Sequence, residues 1–179
     1  MAEPSLSLND RVVLALVCES PRHGFAIARE LTPDAPLGSI WRVRRPQVYR
    51  SIDRLVSHGL AVPAQTEPGA GGPERQVVRA TPAGRASAAR WAVAPVDRLR
   101  DARTELLVKL AVCRRLGLDG AALLRAQTQV VDRIVARLAA RSASTDEALL
   151  PLLWRRQSAA AARRFVDDAA AWWESRSPG

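Results

Sequence analysis

With 179 residues, 47% of them apolar and 25% charged, the chain is long enough to bury one large core or two small ones. Twelve prolines exclude a single continuous helix, and no apolar run approaches the ~18 residues needed to cross a bilayer. The net charge of +9 and pI near 11.3 favour an acidic partner, nucleic acid or an anionic surface. Basic residues exceed acidic ones in both halves, so charge alone does not locate the binding face.

The first predicted element is a helix in "LSLNDRVVLALVCESPRHG", with Asn9 or Asp10 as its N-cap and Val12, Val13, Leu16 and Val17 inward. Ser20-Pro21 ends it, and Gly24 suits a tight turn. "FAIARELT" is a second short helix that points Phe25, Ile27 or Ala28, and Leu31 toward the core. "PDAPLGSIWRV" reads as a loop closing in a short strand at residues 40–43.

Next comes "RRPQVYRSIDRLVSHGL", residues 44–60. At 100° per residue, Val48, Ile52, Leu55 and Val56 share one arc about 100° wide, which is a core-facing stripe. Arg50 and Arg54 point away from it, with Gln47, Asp53 and Ser57 beside them. Pro46 fits the first turn and Gly59 the position past the end. Tyr49 lies at the edge of the stripe, where it can pack beside Val56 or reach a phosphate. "LAVPAQ" and "QVVRAT" then form a hairpin around the glycine-rich tip "TEPGAGGPER". Thr81 caps a further helix with Pro82 at its first position.

After Trp91 only helices remain, at about residues 96–116, 120–141 and 146–174. Their apolar stripes are Leu99/Leu106/Leu110/Cys113, Leu124/Val131/Ile134/Leu138, and Leu150/Leu153/Ala161/Phe165/Trp172. These stripes exceed what three loosely joined helices can cover, so the region suits a half-core completed by a second copy. Trp91, at the boundary, and Trp154, Trp172 and Trp173 fit an interface core; the alternative is an aromatic-walled pocket for a small aromatic or hydrophobic effector.

Helix, turn, helix, loop, helix, hairpin, helix is the order of a winged helix-turn-helix, whose later helix enters the major groove of double-stranded DNA. The expected class is mainly α with a small β-hairpin wing: a DNA-binding domain at 1–92 and a helical dimerisation and effector region at 93–179. Arg50, Arg54 and Gln47 are the candidates for base edges, Arg suiting guanine and Gln adenine. Arg44, Arg45 and Tyr49 are the candidates for phosphates. In the wing, Gly72 gives a pliable tip and Arg75 flanks it.

The segments "VVLALVCESPRHGFAIAREL" (12–31), "VYRSIDRLVSHGL" (48–60) and "GGPERQVVRATPAGRASAARW" (71–91) together resemble the PadR family of bacterial transcriptional regulators. The shared pattern is an apolar helix, a Pro-x-His-Gly-aromatic turn, a Val-Tyr recognition helix closing on Gly-Leu, and a Gly-rich wing followed by Thr-x-x-Gly. "TELLVKLAV" (104–112) looks like the opening of the family's dimerisation region. The resemblance implies a homodimeric regulator, usually a repressor, whose operator affinity changes when a small molecule binds; a two-fold pair would read a pseudo-palindromic operator. Two departures stand out: Arg45-Pro46 replaces the family's usual Ser-Pro, and Arg50 replaces the Pro that commonly follows Tyr. Glu67 and Glu74 in the wing argue against strong minor-groove contact.

An enzyme is not expected, because the sequence has no phosphate loop, Gly-x-Ser-x-Gly or His-Glu-x-x-His. No metal or cofactor is expected either, since His23, His58, Cys18 and Cys113 lack ligand spacing. The N-terminus has no signal-peptide pattern and the isolated thiols fit a reducing compartment, so a cytoplasmic protein with no membrane partner is expected. The competing function is a winged-helix adaptor that binds protein instead of DNA.

Overall fold

The computed structural model describes residues 5–69 and 72–176, and for residues 65–69 and 72–75 the backbone alone. The contacts divide the chain into two compact units. One holds residues up to Ala92 together with Leu107–Leu118; the other holds Val93–Leu106 and the residues from Asp119 onward. The chain thus leaves the first unit after residue 92 and returns to it with Leu107–Leu118.

In the first unit, α1 (Leu8–Glu19) is apolar on all sides, and Val12 to Val17 are buried without a break. Its cap is Ser7, not Asn9 or Asp10. The Ser7 hydroxyl accepts from the Asp10 N–H, while the Asp10 carboxylate accepts from the Ser7 N–H, a reciprocal capping box. β1 (Arg22–His23) leads into α2 (Gly24–Glu30), capped by His23 Nδ1, which accepts from the Ala26 N–H at 3.1 Å. Ile27 and Leu31 are buried, but Phe25 is exposed, contrary to its expected inward place. The stretch expected to be a loop and strand folds as α3 (Pro36–Ile40), started by Pro36 at its first position. The Trp41 indole N–H behind it donates to Asn9 Oδ1 at 2.8 Å.

α4 (Arg45–Ser57) follows, then β2 (Ala61–Gly69), β3 (Gly72–Ala80) and α5 (Pro82–Val93). The antiparallel sheet has the order β1-β3-β2, so the two-residue β1 covers the edge that the hairpin alone would leave open. Pairing runs from Ala61 opposite Ala80 outward, with an irregularity between Pro63 and Gln65. Thr81 secures the return: its hydroxyl donates to the Gly59 carbonyl at 2.8 Å and accepts from the Gly84 N–H at 3.0 Å.

The expected helix over 96–116 is interrupted. A single turn, α6 (Leu99–Asp101), and a π-helical turn at Ala102–Leu106 precede α7 (Leu107–Leu116). α7 joins the first unit, where Arg115 donates to Glu19 and Glu30 and so ties α7 to α1 and α2. In the second unit, α8 (Gly120–Ala139) packs on α9 (Asp146–Glu174). Leu124, Val131 and Leu138 are buried as expected. On α9 the buried residues are Leu152, Ala159, Val166 and Trp173, spaced two helical turns apart. The stripe expected to pack, Leu150/Leu153/Ala161/Phe165/Trp172, is the exposed one.

Candidate nucleic-acid interface

α4 divides cleanly. Val48, Ser51, Ile52 and Leu55 are buried, while Arg44, Arg45, Gln47, Tyr49, Arg50 and Arg54 are exposed. Pro46 starts the helix without needing an N–H partner. The side-chain cap that a Ser would give at its start is replaced by Gln47, whose Oε1 accepts the Arg44 N–H at 3.1 Å. The amide nitrogen of Gln47 remains on the outer face. His58 ends the helix, and Gly59 at φ 68° supplies the left-handed residue just past it.

α2 crosses α4 at Gly24. A Cβ there would lie 2.8 Å from Tyr49 Cε1 and 3.2 Å from Ile52 Cδ1, so only glycine lets the two helices approach this closely. The role of Gly24 is therefore close packing, not a positive-φ turn. Tyr49 rests on it with one edge and keeps the rest of its ring exposed. The Arg45 guanidinium lies over both neighbouring rings, 5.3 Å from the Phe25 centroid and 5.8 Å from the Tyr49 centroid. Exposed Phe25 is thus part of this surface, a residue that helical periodicity assigned to the core.

Arg54 is placed differently from its expected role. Its guanidinium reaches back to α1 and donates to the buried Asp10 carboxylate at 3.1 Å. Burial pushes the Asp10 pKa up, but hydrogen bonds from the Ser7 and Ser51 hydroxyls and the Ser7 N–H, helped by the Arg54 charge, outweigh it and hold the carboxyl below its ordinary value. Asp10, Ser51 and Arg54 form a buried anchor that fixes α4 on α1. Asp10 was legible only as a helix cap. Its partner lies 44 positions away, and no local pattern signals that contact.

Arg50 remains an outward cation in the middle of α4, with no ion pair to a carboxylate among the described residues. In the wing, the Gly72 backbone pairs opposite Gly69 and the Arg75 backbone opposite Glu67. The Arg75 side chain and the tip at Gly71 lie outside the described residues.

The four candidate tryptophans divide between the two units. Trp91, in the first unit, is half-buried with Lys109 Nζ 5.3 Å from its ring centroid. Trp173 is buried against Gly120, where a Cβ would lie 2.3 Å from its ring. Trp172 meets Trp173 edge to face at 6.0 Å, has the Arg176 guanidinium 4.9 Å from its ring centroid, and stays partly exposed. Trp154 is 74% exposed and lies roughly 27 Å from Trp172 along the helix axis at 1.5 Å per residue. Within the second unit, Trp154 stands apart from the Trp172–Trp173 pair.

Residues 13–90 match the model of the family described as Transcriptional regulator PadR-like family. Among solved structures the chain is similar to Bacillus subtilis PadR in complex with operator DNA, at 15% identity and a TM-score of 0.49, over 96% of this chain and 98% of that one. It is also similar to smu.1604c from Streptococcus mutans UA159, at 15% identity and a TM-score of 0.43, over 93% and 99% of the two chains. The Vibrio cholerae virulence activator AphA gives 19% identity and a TM-score of 0.38, over 94% and 99%. No curated protein matches the sequence. No helix among the described residues is long and apolar enough to cross a membrane.

Proposed function

We propose that the chain is a homodimeric, ligand-responsive repressor that reads a pseudo-palindromic operator with α4; the match of residues 13–90 to the model of the Transcriptional regulator PadR-like family supports this reading. The observation that carries the DNA-binding part is the division of α4: one face is spent on Val48, Ser51, Ile52 and Leu55, and the opposite face offers Arg44, Arg45, Gln47 and Arg50 to solvent. Arg50 and Gln47 suit base edges in the major groove, and Arg44 and Arg45 at the helix start suit phosphates. Gly72 and Arg75 of the wing are assigned the backbone beside the groove.

The dimer rests on α9. Leu149, Leu150, Leu153, Trp154, Phe165 and Trp172 are all exposed, a larger apolar face than a lone helix keeps in water. A two-fold pair would cover it and set two α4 helices about 34 Å apart, one turn of DNA. The exposed indoles of Trp154 and Trp172 are the surface offered to a flat aromatic or hydrophobic effector. Such a ligand shifts operator binding only if it prefers one arrangement of the pair, since equal affinity shifts nothing.

The test is operator selection from a random duplex pool, followed by anisotropy at several salt concentrations. A regulator selects an inverted repeat and loses affinity steeply with salt. A winged-helix adaptor selects nothing and shows no such slope. Sedimentation of Leu150→Glu/Trp154→Glu should give monomer where the native chain gives dimer; a native monomer at micromolar concentration removes the dimer. Aromatic compounds that quench tryptophan fluorescence without changing operator affinity remove the switch.

A further inference from the structure

Next to the start of α4 the first unit has a cavity of about 310 Å³, near the lower end of the range typical of ligand sites. Phe25 and Pro33 line it together with four arginines, Arg29, Arg42, Arg44 and Arg45. All four arginines are exposed, and none makes an ion pair with a carboxylate among the described residues. Three other arginines of the first unit are neutralised: Arg22 meets Glu19, Arg54 meets Asp10, and Arg115 meets both Glu19 and Glu30. Four like charges around one hollow repel each other unless an anion enters. Arg45 is already held over two aromatic rings, so part of the ordering cost of gripping an anion has been met before it arrives.

We propose that this cavity is a phosphate-binding site, distinct from the base-reading face of α4, that grips a phosphate group through Arg29 and Arg42 together with Arg44 and Arg45. Phe25 and Pro33 then receive the sugar. The proposal rests on the DNA-binding reading above for one of its two sources of phosphate, the operator backbone beside the half-site. The other source is a free mononucleotide, which offers the same group in solution.

The experiment uses the full chain as native protein, Arg29→Ala/Arg42→Ala and Arg29→Lys/Arg42→Lys, each checked for fold by circular dichroism. In the first arm, duplex affinity is measured over a series of KCl concentrations. The alanine pair should weaken all duplexes alike by about tenfold and lower the salt slope by about 1–2 per chain, while the lysine pair keeps the slope. In the second arm, adenosine monophosphate is titrated and followed by calorimetry. A changed slope assigns the cavity to the DNA backbone. An unchanged slope with mononucleotide binding that the alanine pair abolishes assigns it to a free phosphate. If neither property differs between the native chain and the alanine pair, the cavity is no phosphate site. Should native protein bind no DNA, the function proposed above falls, and the mononucleotide arm decides the cavity alone.

Discussion

Asp10→Asn is the sharpest perturbation of the interface that does not touch its outer face. The Asp10 carboxylate is buried and takes hydrogen bonds from the Ser7 N–H at 2.9 Å, the Ser7 hydroxyl at 2.7 Å and Arg54 at 3.1 Å, with Ser51 as a further donor. An asparagine keeps the shape but loses the charge and turns an N–H₂ toward donors. Hydrogen bonds to a buried charged group contribute roughly 1.5–3 kcal/mol, and half of a capping box adds about 1. The Arg54 side chain is 52% exposed and regains water, so the ion pair itself contributes no more than about 1 kcal/mol. The expected loss is therefore about 2–4 kcal/mol at neutral pH, or a fall of roughly 1–2 M in the urea midpoint. The sign with pH follows from a carboxyl whose folded pKa is depressed. Its stabilisation is complete above the ordinary value of 3.8 and is lost as pH falls through the lower folded value. The gap between native and variant proteins should thus close on acidification. Urea unfolding followed by circular dichroism at pH 7 and at pH 3 measures both effects. Equal midpoints at pH 7, or a gap that stays constant to pH 3, would refute the anchor.

Arg50→Ala should cost about 1–3 kcal/mol on a selected operator and relax base preference at its position. Arg54→Ala should instead lower stability by no more than about 1 kcal/mol and change base preference less, because Asp10 holds that guanidinium; a footprint changed more by Arg54→Ala than by Arg50→Ala reverses the assignment. Gly84→Ala should destabilise the first unit by at least about 2 kcal/mol, since its Cβ would lie 2.0 Å from the Leu60 carbonyl oxygen and backbone must move; thermal melts that coincide with native protein contradict the close approach. Burial pushes the Cys18 thiol up to about 11, more than Arg85 draws it down, so it should be nearly inert to maleimide at pH 7; labelling as fast as a free thiol would show the site to be open.

The sequence by itself determined the run of α1, α2, α4, hairpin and α5, the start and end of α4 and which of its faces is buried. Pro46, the 3.6-residue recurrence of Val48, Ile52 and Leu55, and Gly59 are local signals, and burial of an apolar stripe satisfies them directly. Thr81 as a cap was legible for the same reason, although Gly84 three positions on is explained only by the Leu60 carbonyl against it. Periodicity failed where several faces are apolar at once. α9 is rich in alanine and aromatics around its circumference, so only packing against α8 selected Leu152, Ala159, Val166 and Trp173 and left Leu150, Trp154 and Trp172 outside. Tertiary structure also decided that Phe25 faces out beside Arg45, that Pro36–Ile40 closes into a helix, and that α7 packs with the first unit. It turned Arg54 from a groove residue into the partner of Asp10 and gathered Arg29 and Arg42 beside Arg44 and Arg45. These are contacts between residues far apart in the chain. A local pattern carries no record of them, because charge pairing and close approach are set by distance in space and not by spacing in sequence.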